Sequence, residues 1–331
     1  LSSFKNFLNH GYLKVKKIYM FNGSDISNYI NDSLFLDFVK FRSFSCYLDY
    51  EIANTLNKRS IKKFIYVFEN QSWENAYLMS LDKRITIGYQ SSGFSLRFLN
   101  FFPCKDEVNT KIYPSKILTV GKLFSKALAD YGYYKCPIVD FAALRFDYPT
   151  IADKYMISKQ DLIIKKRVLF AFSVIKEEYL KILLDLIVVF KDSSVHLDLK
   201  FHPVHNPKKI LKEYKIKLPS NINVINSVEM NKLSQNYDIT LFNDNSFGIE
   251  SLIKGVKSFE YNVSKLFDET RLIYFKLYDF QLNKIQLNTI INQIDNLKYD
   301  KILNNKLLFN YINNLYLPYK IKSLKLITDE K

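Results

Sequence analysis

A chain of 331 residues with 48% hydrophobic and 16% aromatic side chains can bury two ordinary cores, which excludes intrinsic disorder and makes two domains the default. Its 48 Lys and Arg against 33 Asp and Glu give a net charge of +15, but the lysines are scattered as pairs (Lys16-Lys17, Lys62-Lys63, Lys165-Lys166, Lys208-Lys209) rather than packed into one basic arm. That scatter, with Lys, Asn, Ile, Phe and Tyr abundant and Gly scarce, fits the codon bias of an AT-rich genome better than a nucleic-acid-binding surface.

Cys46, Cys104 and Cys136 are odd in number, widely separated and without CxxC spacing, so neither a disulfide framework nor a cysteine metal site is expected, and a reducing compartment is. Leu1 to Gly11 is mixed and polar and carries no signal-peptide pattern; the chain begins without Met and reads as a fragment or trimmed form. The longest apolar run, Leu180 to Phe190, is interrupted by Lys181 and Asp185 and is too short to span a bilayer.

Along the chain, apolar runs of strand length alternate with helical patterns. In the first half strands are expected at Lys17–Phe21, Lys63–Phe68, Ile85–Tyr89, Lys116–Val120 and Pro137–Phe141, with helices at Phe38–Asn57, Trp73–Asp82 and Leu123–Tyr131. The second half repeats the scheme. Its strands are expected at Arg167–Phe172, Val195–Phe201, Ile222–Ile225, Tyr237–Phe242 and Val256–Tyr261, and its helices at Lys176–Lys191, Pro207–Tyr214, Ser246–Lys254 and Ile285–Leu297. Such alternation predicts mostly parallel sheets covered on both faces. The polar stretch Tyr148–Lys166 is the expected linker, so domains are placed at 1–150 and 151–300, and a C-terminal helical segment in 301–331 is expected to cross back over the first. The resulting α/β architecture is two halves facing a cleft, with ligands at the C-terminal ends of the strands.

Two strand ends in the second half attract attention. His202-Pro203 follows the run ending at Phe201; the proline restricts the histidine to an extended backbone and so fixes where the imidazole projects, toward a phosphate oxygen or, in the plainer alternative, a loop carbonyl. His205 is close, but no further His or Cys completes a metal site. Asn243-Asp-Asn-Ser-Phe-Gly248 lies where a strand gives way to a helix. Asn245 or Ser246 is expected at the helix start, as a cap or as part of a phosphate site, and Glu250 in the first turn could accept ribose hydroxyls; Gly255 would end that helix.

In the first half, Glu69-Asn-Gln-Ser-Trp-Glu74 gathers carboxylates, amides and the single tryptophan, a set suited to sugars. Glu69 is placed to act as general base on an acceptor hydroxyl, while Asn70, Trp73 and Glu74 would face the acceptor; the alternative has Trp73 packing inward and Glu74 decorating the first helical turn. Gln90 and Ser91, in Gly88-Tyr-Gln-Ser-Ser-Gly93, would line the same cleft. Gly121 and Arg145 follow two more strands and could approach it, Arg145 as an anchor for carboxylate or phosphate or as a surface ion pair. Neither GxxxxGK[ST] nor GxGxxG occurs.

Taken in order, Glu69–Glu74, Gly88-Tyr-Gln90, Ala143-Leu-Arg145, His202-Pro203, and Asn245-Ser246 with Glu250 and Gly255 resemble the bacterial surface-carbohydrate glycosyltransferases of GT-B fold that use CMP-activated acidic sugars: Kdo, sialic acid and pseudaminic acid transferases of capsule and lipopolysaccharide assembly. The resemblance implies two Rossmann-like domains facing a central cleft. It implies that His202 and Ser246 hold the CMP phosphate, with Asn245 standing where the family often carries a second hydroxyl, and that Glu69 serves the acceptor or the chemistry. The implied co-substrate is a CMP-sugar, with no cofactor and no DxD metal motif; the implied partner is a glycan or lipid-linked glycan, and not nucleic acid. The implied location is the cytoplasm or the cytoplasmic face of the inner membrane. Inversion would need Glu69 alone; retention through a covalent adduct would need a second carboxylate, Asp140 or Glu74.

Overall fold

The computed structural model describes residues 2–10, 16, 18–21, 23–59, 61–81, 85–95, 98–110, 112–144, 165–254, 256–261, 263, 281–294, 311 and 313–328. Arg145, Gly255, most of the expected linker and all of 300–310 lie outside them.

The N-terminal region is helical. Helix α1 (Ser2–His10) carries Phe4, Phe7 and Leu8 at helical spacing, and Phe7 is buried in a ring cluster with Phe38, Phe41 and Phe44 at centroid distances of 4.8, 5.6 and 6.0 Å. Among the described residues of the run expected as a strand from Lys17, Met20–Phe21 forms a two-residue strand, β1, paired antiparallel with β2 (Ser24–Asp25). Gly23, at φ +80, turns the chain between the two short strands, which pair with each other rather than with a parallel sheet. The helix expected over Phe38–Asn57 is two, α2 (Ser27–Val39) and α3 (Arg42–Asn57), broken where Phe41 takes a left-handed φ of 57 and turns its ring toward Phe7.

The first parallel sheet has the order β3 (Lys63–Val67), β4 (Ile85–Gln90), β5 (Lys116–Thr119), β6 (Ile138–Asp140), with α4 (Ser72–Ser80) and α5 (Lys122–Tyr131) as crossovers. Ile87, Ile117 and Leu118 are fully buried, as both-faced covering of a parallel sheet requires.

The second sheet contains β7 (Arg167–Ala171), β8 (His196–Lys200), β9 (Ile222–Ile225), β10 (Ile239–Phe242), β11 (Lys257–Tyr261) and the short β12 (Gln281–Leu282), the last not foreseen in the sequence. Helices α6 (Tyr179–Phe190), α7 (Pro207–Glu213), α8 (Phe247–Ile253) and α9 (Lys284–Asn292) connect and cover it. All pairs are parallel and the spatial order is β12-β11-β10-β7-β8-β9. The first strand therefore lies at the centre, flanked by β8 on one side and β10 on the other. The chain leaves β7 toward one edge and later returns past it toward the other, which opens a crevice at the carboxyl ends of β7 and β10.

One core spans both halves: Phe94, Phe101 and Phe124 from the first cluster with Ala171, Phe242 and Ile249 from the second and with Tyr311, Leu315 and Tyr316. The C-terminal residues pack along the first sheet. Leu317 N–H donates to Val120 O (2.8 Å) and Leu317 O accepts from Ala143 N–H (2.9 Å), both at strand ends. At the opposite end, Lys63 Nζ reaches the carbonyls of Ile327 (2.9 Å) and Thr328 (2.8 Å), and Lys116 Nζ that of Leu326. Among the described residues no helix is long and apolar enough to cross a membrane.

Candidate active site

Two asparagines bridge the carboxyl ends of β7 and β10. Asn243, immediately after β10, accepts the Ser173 N–H at 2.9 Å and donates to Ser173 Oγ and Glu178 Oε2, both at 3.0 Å, so it ties together the ends of the diverging strands. Asn245 donates to Ala171 O (2.8 Å) and accepts the Phe247 N–H (3.0 Å), starting α8. Ser246 occupies the position before the helix but its side chain makes no capping bond; the capping falls to Asn245. Gly248 lets α8 approach β10: a Cβ there would lie 1.9 Å from a Phe242 ring carbon.

Beyond β8, Phe201 is stacked on Phe172 (4.6 Å, 17°), which fixes the turn that carries His202. His202 Nδ1 accepts the Val204 N–H at 3.4 Å, so in the neutral ring the proton resides on Nε2, available as a donor. Partial burial, then the neighbouring His205 and Lys200, push the His202 pKa below the ordinary histidine value, which keeps the ring neutral near pH 7. His205 is turned away, its Nε2 on Val174 O at 2.8 Å. Lys200 lies half-buried with Nζ 5.3 Å from the Phe247 ring centroid; burial lowers its pKa and the Glu250 carboxylate partly restores it.

These groups share a cavity of about 530 Å³ with loops of the first sheet. From the second half it is lined by Lys200, His202, Pro203, Asp244, Asn245, Ser246, Phe247 and Glu250, over a floor that includes Ala171 and Phe172, with Val174, Val228 and Met230 completing that side. From the first half come Glu69 and Gln71 after β3, and Ser92, Gly93, Phe94, Phe98, Asn100 and Phe101 after β4. Lys200 is the one lysine or arginine among the described lining residues. No group of three or more His, Cys, Asp or Glu among the described residues could hold a metal ion.

The structure thus brings together Glu69, His202, Pro203, Asn245, Ser246 and Glu250, and takes Asn70, Trp73, Glu74, Gln90, Ser91 and Gly121 elsewhere. Glu74, expected at the acceptor, is 2% exposed and turns inward. Its Oε1 accepts the N–H groups of Glu69 (2.8 Å) and Gln71 (3.1 Å), and its Oε2 that of Asn70 (3.1 Å), a capping box that carries the loop with Asn70 at φ 59. Burial raises the Glu74 pKa despite these three bonds.

Trp73 packs between Tyr66 (6.1 Å) and Tyr77 (6.0 Å) because its ring belongs to the helix face over the sheet. Asn70 donates to Asn100 O rather than facing the cavity. Gln90 is fully buried, accepting Val120 N–H (3.2 Å) and donating to Ser92 O, and Ser91 is not in the lining. Gly121 lies under the C-terminal segment, where a Cβ would stand 2.0 Å from Leu315 O. Arg145 is outside the described residues.

No protein-family model and no curated protein matches the chain. Among solved structures it is similar to the UDP-GlcNAc 2-epimerase from Neisseria meningitidis bound to UDP-GlcNAc (TM-score 0.52, 13% identity, 87% of this chain and 81% of that one) and to the spinosyn forosaminyltransferase SpnP (TM-score 0.51, 10% identity, 85% and 80%). The chain has a GT-B fold. In GT-B terms its two sheets are the two Rossmann-like units, and the cavity lies where their carboxyl-end loops meet.

Proposed function

We propose that this protein is a glycosyltransferase that moves an acidic sugar, of the Kdo or nonulosonate class, from a CMP-linked donor to a bacterial surface glycan. The observation that carries the reading is the shared cavity in which Lys200, the last residue of β8, and His202, just beyond it, meet Glu69 from the first half. A donor phosphodiester would accept the His202 Nε2–H and sit beside Lys200.

Glu69 would take the proton of an acceptor hydroxyl as its oxygen bonds to the anomeric carbon, the carbon–phosphate oxygen bond breaks, and CMP departs with its new charge met by Lys200 and the Nε2–H. Direct displacement is favoured because the two candidates for a covalent nucleophile are otherwise engaged: Glu74 holds three amides, and Asp140 accepts Ser125 Oγ at 2.5 Å. The substrate pair would place the enzyme in the cytoplasm or at the cytoplasmic face of the inner membrane.

The test is thermal shift with CMP, UDP and GDP. CMP is expected to raise the melting temperature most. Stabilisation by UDP with no response to CMP would favour the competing reading, a UDP-sugar transferase or epimerase, for which the likeness to the Neisseria epimerase speaks. Salt-sensitive binding of polyanions with no nucleotide response would instead make it a non-catalytic basic binding protein.

A further inference from the structure

Half of the first-half wall of the cavity, Phe94, Phe98, Asn100 and Phe101, is built by residues that none of the sequence motifs singled out. After β4 the chain makes a turn at Leu99–Phe101. Beneath it Phe94 and Phe101 are buried and stacked, centroids 4.3 Å apart at 14°, while Phe98 remains 39% exposed and lines the cavity.

The turn is stitched to the catalytic loop in both directions. Asn100 Nδ2 donates to Glu69 O at 2.5 Å, and Asn100 O accepts from Asn70 Nδ2. Phe98 is therefore fixed relative to Glu69, on a buried aromatic base. Gln71 and Ser92 line the same wall, and Glu69 is the one charged side chain among its described residues.

We infer that this wall is the acceptor subsite and that it takes the uncharged hexopyranose end of a glycan, with the apolar face of the sugar on Phe98 and its hydroxyls toward Gln71, Ser92 and Glu69. A partly exposed ring beside planar amide and hydroxyl groups matches the two-faced chemistry of a neutral sugar. An acidic or phosphorylated sugar would bring its charge beside the Glu69 carboxylate. The inference rests on the proposed transferase reading for its role, since a neutral acceptor hydroxyl beside Glu69 is what that reaction consumes.

The experiment is ligand-observed NMR titration of the CMP-saturated protein with methyl glycosides of galactose, glucose and N-acetylglucosamine, and with methyl glucuronoside as the anionic probe. At least one neutral glycoside is expected to bind, and the glucuronoside about fivefold more weakly or not at all. Phe98→Ala should weaken the neutral probe about fivefold, Phe98→Tyr should retain it, and Leu99→Ala, at an exposed position outside the lining, should leave it unchanged. Equal or tighter binding of the glucuronoside, no binding of any neutral probe, or unchanged binding in Phe98→Ala would overturn the assignment. Neutral-probe binding that persists and depends on Phe98 in a protein that fails to respond to CMP would remove the donor reading while leaving the subsite in place.

Discussion

The two loops that bring polar groups into the cavity are anchored by different chemistry. On the second sheet, residues 243–246 are tied down by neutral amides, Asn243 and Asn245, each bonding across the gap between β7 and β10. On the first sheet, residues 69–71 hang on one buried carboxylate, Glu74, which receives three backbone N–H groups. An amide carries no charge to titrate; a buried carboxylate whose pKa is raised by desolvation holds its proton to higher pH than a free one. The second-sheet side is tied together by amides, and the side carrying Glu69 hangs on a carboxylate whose pKa burial raises.

The largest expected effect breaks the second-sheet side. Gly248→Ala would set a methyl group 1.9 Å from the Phe242 ring and should destabilise the fold by about 3 kcal/mol, read as a lowered denaturation midpoint. A loss below about 0.5 kcal/mol would show that α8 does not press on β10 as described.

Next in size, Glu74→Gln should cost about 2 kcal/mol, because an amide retains one acceptor oxygen and adds donors with no place to bond. This variant also sharpens the pH contrast. The folded Glu74 keeps its proton above the ordinary value of 4.5, where the unfolded chain has lost it, so the wild type loses stability as pH rises from 4.5 through the raised value. The stability gap between wild type and Glu74→Gln should therefore narrow over that window in urea denaturation at stepped pH. A widening gap would mean that the three amides stabilise the charged form more than burial opposes it.

The smallest effect is at Asn245→Ala, about 1 kcal/mol, with a gap to wild type that stays constant across the same pH range because no titrating group is removed.

The contrast also explains what could be read in advance. Strands β3 to β11 are legible as apolar runs whose length and flanking turns admit little else; β12 and the β1–β2 hairpin are not, because strands of two residues carry no periodicity. On the second sheet the site residues directly follow the strands, so chain order placed His202 and Ser246 at the crevice. On the first sheet, order along the chain could not say which loop residues face in. Gln71-x-x-Glu74 has the spacing of a capping box, and that signal would have assigned Glu74 to the loop's own amides. Phe98 and Asn100 come from the long connection after β4, where their approach to Glu69 is a tertiary fact with no local marker.

The central claim is that His202 holds a nucleotide phosphate in this cavity, and calorimetric titration of CMP into wild type and His202→Ala tests it most directly. The ring is neutral near pH 7 and donates through Nε2, so its loss should weaken CMP at least about tenfold, about 1.4 kcal/mol, with the melting temperature of the unliganded protein unchanged. Equal CMP affinity in the two proteins would contradict the account and move the nucleotide site away from the switch point of the second sheet.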